Sequence, residues 1–290
     1  MKPRHFGALS VCAALPVLAS FACSGETRVD LLAPVVSEQG GVSGEGAVSG
    51  AGAAELGATG GTAGAAGSPA ETHLVHRYSF NGEGTRAVDS LGGAEGTLEG
   101  GAVLDGAGHA VLDGKKSYID LPDNLISGSS DTTLFAWLSW NGGGCWQRAF
   151  DFGSNDGSSG DVGNATTSLF ATPLRCPGTG PATDFQTTER GLGSVDSDDP
   201  FPVLQNSSLA VVLDVTNGEI RLYSGGKPLG VSPLVTPSHL NGVNDWLGRS
   251  QWVQDPHLRG SYDEFRIYDL AMDDAMVQAV DAAGPEVVNP

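Results

Sequence analysis

The sequence has 290 residues, with 34 acidic against 15 basic side chains and a formal net charge of −19. A surface so acidic repels phosphate backbones, which argues against nucleic acid as a partner; it suits solubility, divalent cations and neutral ligands. Past the N-terminus, no apolar run reaches the length that a transmembrane helix needs.

Lys2, Arg4 and His5 precede residues 6–22, which are nearly all apolar or small. A short basic start before an apolar stretch is the layout of a secretion signal, and Pro16 argues against a retained membrane helix. Residues 1–22 are therefore predicted to be a signal peptide. Leu18, Ala19, Ser20, Phe21 and Ala22 lead into Cys23. This run resembles a bacterial lipoprotein signal, in which a Cys after small residues becomes the lipidated N-terminus, although Ser20 stands where that pattern prefers Leu. Ordinary signal cleavage after Ala22 would cut the same bond. The resemblance implies lipidation of Cys23, with enough acyl chains for stable anchoring; unmodified, Cys23 would be a free thiol in an oxidising compartment. The protein is thus expected to be exported and held at the outer membrane or cell surface, or secreted if not lipidated.

Residues 38–70 are mostly Gly, Ala, Ser and Thr, with a few Glu, only scattered Val or Leu and no aromatics. Such a segment cannot bury enough apolar area to offset its ordering entropy. Residues 23–72 are predicted to be a flexible tether, with a reach of roughly 35–42 Å at about 5–6 Å per root residue.

From His73 the texture changes. Aromatics appear and Gly marks turns at short intervals. Leu74, His76, Tyr78 and Phe80 alternate with other residues and are predicted to share one face of a strand. Residues 132–140, which include Phe135, Trp137 and Trp140, are apolar on both faces, as in a buried strand. Further short runs at 102–104, 110–112, 118–121, 148–152, 168–171, 209–215 and 220–223 read as strands, and Phe265 and Ile267 as the core side of a late one. Asn217-Gly218 and Asp113-Gly114 are hairpin signals. Residues 73–290 are therefore expected to form one all-β domain, a sandwich or barrel. One short helix follows Asp273, which can cap it, with Met276, Val277 and Val280 packing inward.

The order of the strand motifs then becomes informative. Arg77-Tyr78-Ser79-Phe80 is followed by Asp89-Ser90-Leu91-Gly92, by Leu112-Asp113-Gly114 and by Tyr118-Ile119-Asp120-Leu121. Next come Trp137 to Trp140, Trp146 to Gly153, Leu222 to Gly226, Trp246-Leu247-Gly248-Arg249 and Gly260 to Tyr268. The series resembles a laminin-G-like domain of the concanavalin A-like lectin/glucanase superfamily, over about residues 74–283. The resemblance implies a jelly-roll β-sandwich of two antiparallel sheets, commonly with a structural calcium and a ligand on the concave face or rim loops. Residues 177–205 are polar and rich in Gly, Pro and Asp, do not align, and read as loop.

Glycoside hydrolysis needs two carboxylates about 5–10 Å apart, which relatives place on alternate positions of one strand so that they share a face. No such strand is found: Asp151 is alone in its run, and Asp263 and Glu264 are adjacent. There is no Gly-x-Ser-x-Gly elbow and no histidine pair with zinc spacing, so no catalytic residue is assigned. For calcium, which takes about six to eight oxygens, the resemblance suggests a site joining Asp89 to Asp263. Asp196, Asp198 and Asp199 read as a solvated acidic loop, with a second calcium site as the alternative. Cys145 and Cys176 are the only cysteines in the domain, and export permits a disulfide between them. Trp246 and Trp252 flank Arg249 in a presumed loop and are the candidate ligand contacts, since sugars stack on exposed aromatic faces; a core position for Trp246 is the competing assignment. Trp137, Trp140 and Trp146 are expected in the core, and Arg148 and Arg249 to pair with carboxylates. The function expected is a surface-tethered binding module for a glycan or a glycosylated or protein partner. A structural or adhesion protein and a degenerate glycoside hydrolase are the alternatives.

Overall fold

Strands form where alternate residues face opposite sides of a pleated ribbon, and a chain of many short ones buries its apolar alternates between two sheets. The computed structural model describes residues 69–158, 160–236 and 240–288. The signal segment, Cys23 and nearly all of the tether lie outside the described residues.

In chain order the elements are α1 (Pro69–Thr72), β1 (Leu74–Tyr78), β2 (Glu83–Gly84), β3 (Arg86–Ala87), β4 (Gly96–Glu99), β5 (Val103–Asp105) and β6 (Ala110–Asp113). They continue with β7 (Tyr118–Leu121), β8 (Thr132–Trp140), β9 (Phe150–Asn155), β10 (Ala165–Thr172), β11 (Ala182–Thr187) and β12 (Gly191–Asp196). The last are β13 (Asn206–Asp214), β14 (Glu219–Ser224), β15 (Lys227–Pro233), β16 (Asn244–Leu247), β17 (Arg259–Tyr268) and α2 (Asp274–Ala283). One antiparallel sheet of nine strands runs β15-β14-β13-β8-β17-β6-β5-β2, with β1 also paired to β17; the other, of eight, runs β12-β11-β10-β9-β16-β7-β4-β3. The fold is the expected all-β jelly-roll sandwich.

The main core fills the space between the sheets. Leu134, Ala136, Leu138 and Trp140 of β8 meet Phe150 and Phe152 of β9, Leu169 of β10 and Phe265 and Ile267 of β17. The other face of β8 is also apolar, for a different reason. Phe135 and Trp137 face a second cluster, on the back of the nine-stranded sheet, with Tyr223, Tyr268, Met272, Val277 and Val280. That cluster lies under α2, whose N-cap Asp273 accepts from the Met276 amide at 2.8 Å. Trp137 thus belongs to this second cluster, whereas Trp140 packs between the sheets.

A buried ion group closes this back layer. Glu264 receives Arg77 Nε at 2.6 Å and Arg77 Nη2 at 3.1 Å, and is also bonded to Arg266 Nε. Arg266, fully buried, stacks over Trp137 and donates to the Val287 and Pro285 carbonyls, fastening the C-terminal segment to the sheet.

Several expectations are corrected by the structure. Ala70, placed in the tether by composition, packs into the back cluster. Leu74 and Tyr78 do not share a face: a register shift between Leu74 and His76 sends Leu74 to the back cluster and Tyr78 to the main core. Asp113-Gly114 does not close a hairpin. It turns the chain from β6 in one sheet to β7 in the other, with Asp113 Oδ1 collecting the amides of Lys115, Lys116 and Ser117. The stretch 177–205 holds β11 and β12 rather than a loop.

Candidate functional site

On the outer face of the eight-stranded sheet, strand register decides what stands there. Asp120 on β7 is opposite Trp246 on β16, which is opposite Asp151 on β9; Asp151 is opposite Phe170 on β10, and Phe170 opposite Asp184 on β11. Their sequence neighbours Ile119, Leu247, Phe152, Leu169 and Phe185 all belong to the inner core. Alternation therefore places these five residues in one row on the outside.

A cleft of about 250 Å³ opens over one end of this row, lined by Trp146, Arg148, Phe170, Asp184, Gln186, Trp252, Gln254 and Asp255. Phe170 is its buried floor. Trp146 meets Phe170 edge-on at 6.2 Å and Trp252 does so at 5.9 Å, so two half-buried indoles stand as walls. Beneath them the Arg148 guanidinium carbon lies 3.8 Å from the Phe170 centroid and 5.3 Å from that of Trp252. Arg148 is nearly fully buried, and its charge is met from two sides. Nε donates to Asp151 at 3.2 Å, Nη2 to Asp255 at 2.7 Å and Nη1 to the Trp146 carbonyl at 3.1 Å.

The acids around Arg148 differ in their freedom. Asp151 is fully buried and accepts from Ser168 Oγ at 2.6 Å and the Gln251 amide at 3.0 Å as well as from Arg148. Burial pushes its carboxyl above the ordinary range while Arg148 pulls it back. Asp255, also pushed up by burial, accepts from Arg148 and from Ser250 Oγ at 2.9 Å. Asp184 is different: among the described residues its carboxylate has no hydrogen-bond or ion-pair partner, and it faces the cleft. Burial, seconded by Asp196, pushes it up to about 6.

Trp146 owes its place to backbone chemistry. Its φ is 65°, a left-handed value that L side chains avoid and that recurs where structure constrains a functional residue. Cys145 beside it is bonded to Cys176, and the Trp146 amide donates to the Leu174 carbonyl at 2.8 Å. The expected disulfide is present, and these two links hold the Trp146 segment against the end of β10. Trp146 was expected in the core; the left-handed turn carries its ring to the cleft wall instead.

Of the three residues singled out for ligand contact, only Trp252 lines this cleft. Trp246 is 3 % exposed, its indole N–H donates to Asp120 at 2.9 Å, and the Arg249 guanidinium covers it at 4.2 Å. Trp246 is thus covered rather than available for stacking. Arg249 is itself buried, stacked also on Tyr118 and paired with Asp161 at 2.9 Å. It lines a neighbouring cleft of about 260 Å³ that shares Trp252 and Asp255 and also includes Lys115 and His257. Gly248, at φ 84°, makes the turn that delivers Arg249, and a Cβ there would lie 2.2 Å from Leu112.

Asp89 and Asp263 do not fit a calcium site. Asp89 Oδ1 accepts the Arg77 and Leu91 amides, and Oδ2 accepts the Ala94 amide and pairs with His76 Nδ1 at 2.7 Å. Four donors fill a carboxylate's lone-pair sites, which leaves nothing for a cation. These bonds hold the carboxyl near 2, against the opposing effect of burial. Asp263 accepts from Asn206 Nδ2 instead. Among the described residues no group of three or more His, Cys, Asp or Glu side chains is placed to hold a metal ion. Asp198 and Asp199 are countered by Arg175 and Lys227.

Sequence reasoning missed Asp184, Gln186 and Phe170. The signal for the first two was present: Thr183 and Phe185 alternate inward while Asp184 and Gln186 alternate outward.

These features define a two-sheet jelly-roll module with an aromatic, acid-lined cleft on one outer face. The chain belongs to the concanavalin A-like lectin/glucanases superfamily, whose Laminin_G_3 family model matches residues 113–278. A comparison with curated proteins gives no match. Among solved structures it is similar to domain 4 of AbnA, a GH43 extracellular arabinanase from Geobacillus stearothermophilus, in complex with arabinotriose. The two are 24 % identical with a TM-score of 0.57, covering 71 % of this chain and 97 % of that one. It is also similar to Trypanosoma rangeli sialidase in complex with sialic acid, 12 % identical with a TM-score of 0.54, over 75 % of this chain and 34 % of the sialidase. The chain thus spans about a third of that enzyme. At these identities the likenesses establish the fold.

Proposed function

We propose that this protein is an exported carbohydrate-binding module that grips a glycan between Trp146 and Trp252. The observation that carries the reading is the pairing of two partly exposed indoles over Phe170 with polar side chains that have no partner among the described residues, Asp184, Gln186 and Gln254. Sugars need both parts: flat apolar C–H faces stack on aromatic rings, and hydroxyls need fixed acceptors and donors. The superfamily and the fold shared with a domain whose structure holds arabinotriose support the same reading.

No reaction is part of it. Asp151 and Asp255 are both committed to Arg148, so the cleft offers Asp184 as its single uncommitted acid, whereas glycoside hydrolysis takes two. The reading assigns no calcium to Asp89 and Asp263, since Asp89 is saturated. Export agrees with the disulfide, and anchoring through Cys23 by the preceding tether completes the proposal. Fatty-acid labelling followed by intact-mass analysis tests the anchor; an unlabelled mature form would refute it.

The binding claim is tested with the full chain on a broad glycan array, followed by titration of the hits. Trp146→Ala and Trp252→Ala are each expected to weaken binding by about tenfold or more, the loss of over 1 kcal/mol that marks an anchoring aromatic. An array with no bound glycan, or hits indifferent to both substitutions, would overturn the assignment.

A further inference from the structure

The charges around the cleft carry the reading one step further, to the class of glycan. Three acids and one base meet here: Asp151, Asp184 and Asp255 around Arg148. Asp196 adds to the negative field felt by Asp184. Among the described residues Arg148 is the only cationic side chain lining the cleft, and it is buried and already paired with two carboxylates. Each of its three nitrogens already donates, to Asp151, to Asp255 and to the Trp146 carbonyl. Its side chain is also sealed between Phe170 and the two indoles.

Recognition of a ligand carboxylate or sulfate calls for a free guanidinium fork or an ammonium. This cleft presents the opposite, a carboxylate without a partner among the described residues. A carboxylate accepts strongly from sugar hydroxyls, which are donors, and repels a ligand's own negative charge. We propose, on the footing of the carbohydrate reading above, that the cleft selects glycans that carry no negative charge and rejects sialylated, uronate-containing and sulfated ones. The neighbouring cleft beyond Trp252 does not reverse this. Arg249 there is paired with Asp161 and covered by stacking, which leaves Lys115 as its exposed cation.

The test uses the full chain and matched pairs of oligosaccharides, each an uncharged glycan and its sialylated, uronate or sulfated counterpart, titrated near neutral pH at low and at moderate salt. The uncharged member is expected to bind at least about tenfold tighter, with the gap narrowing as salt screens the field. Asp184→Asn, which keeps the shape and removes a charge, is expected to narrow the gap to about threefold or less. Equal or tighter binding of an anionic member would overturn the selectivity while leaving the carbohydrate reading in place; so would anionic binding that Lys115→Ala abolishes, because the ligand would then sit beyond Trp252. Silence from every glycan, charged or not, would overturn both.

Discussion

Replacing Arg148 with Met removes a charge while keeping much of the apolar stem that lies on Phe170. In the native protein this guanidinium is the common counter-charge of Asp151, which is fully buried, and of Asp255. Breaking a buried ion pair by deleting one partner costs about 3–5 kcal/mol, because the other charge stays behind unpaired. The variant is therefore expected to lose about that much stability near neutral pH. With a urea m-value of about 3 kcal/mol/M, suited to a domain of this size, the midpoint falls by roughly 1–1.7 M. The sign with pH follows from the acids. Burial already holds both carboxyls above their ordinary value, and without Arg148 they rise further. An acid raised on folding favours the native state only when protonated, so stability falls as pH climbs from about 3.9 through the raised folded value. The deficit should accordingly be small near pH 4 and grow toward pH 7. Urea titrations of both proteins at several pH values read this directly. A variant within about 1 kcal/mol of wild type at pH 7, or a deficit that does not change with pH, would refute the account of Arg148 as counter-ion.

Three further outcomes are expected. Glu264→Gln strands Arg266, which is fully buried, and weakens the hold on the C-terminal segment; a loss of about 3–5 kcal/mol, seen as a melting temperature lower by about 10 °C, is expected in calorimetry. Asp184 is held up at about 6, so native stability declines as pH rises from about 4 through 6; Asp184→Asn should match wild type at pH 4 and exceed it above pH 6 by about 1 kcal/mol once solvent screening is allowed for. Opening the disulfide with Cys145→Ser and Cys176→Ser, 31 positions apart, should cost roughly 3–4 kcal/mol in the chain-entropy account, and should weaken glycan binding more than Glu264→Gln does, because Trp146 adjoins the bridge; equal binding by the two variants in titration would refute that link.

Much of the fold was legible because inward-facing residues obey simple alternation. The limits of β7 and β8, the inward pair Phe265 and Ile267, and the capped helix after Asp273 could all be read from spacing. The cleft was harder for three physical reasons. Its wall on β11 is an outward-facing polar set, and Asp184 and Gln186 in a Gly- and Asp-rich stretch look like loop until Thr183 and Phe185 are seen alternating with them. Trp146 reaches the surface through a left-handed backbone angle, which no propensity scale foresees for tryptophan. Trp246 and Trp252 were both candidate ligand contacts, with a core position weighed for Trp246 alone; Trp246 sits on β16 under Arg249, and Trp252 lies beyond the turn at Gly248. Cation–π covering of Trp246 is a tertiary event, invisible to local pattern. The proposed calcium pair misled for a similar reason: an Asp in a turn is as well suited to gathering backbone amides as to holding an ion, and Asp89 does the former.

Both ends of the described fold lie on the side away from the cleft. Ala70 and Leu74 pack into the cluster under α2, and Val288 lies against the same cluster, whereas Trp146 and Trp252 stand on the outer face of the other sheet. A tag, a fluorophore or a sensor surface can thus be coupled at either end of the described fold without shadowing the indoles. The same layout makes the domain a convenient bead on a string: copies joined end to end through their backs would keep every cleft open, so that tandem repeats should gain avidity for a multivalent glycan surface without a change in any single contact.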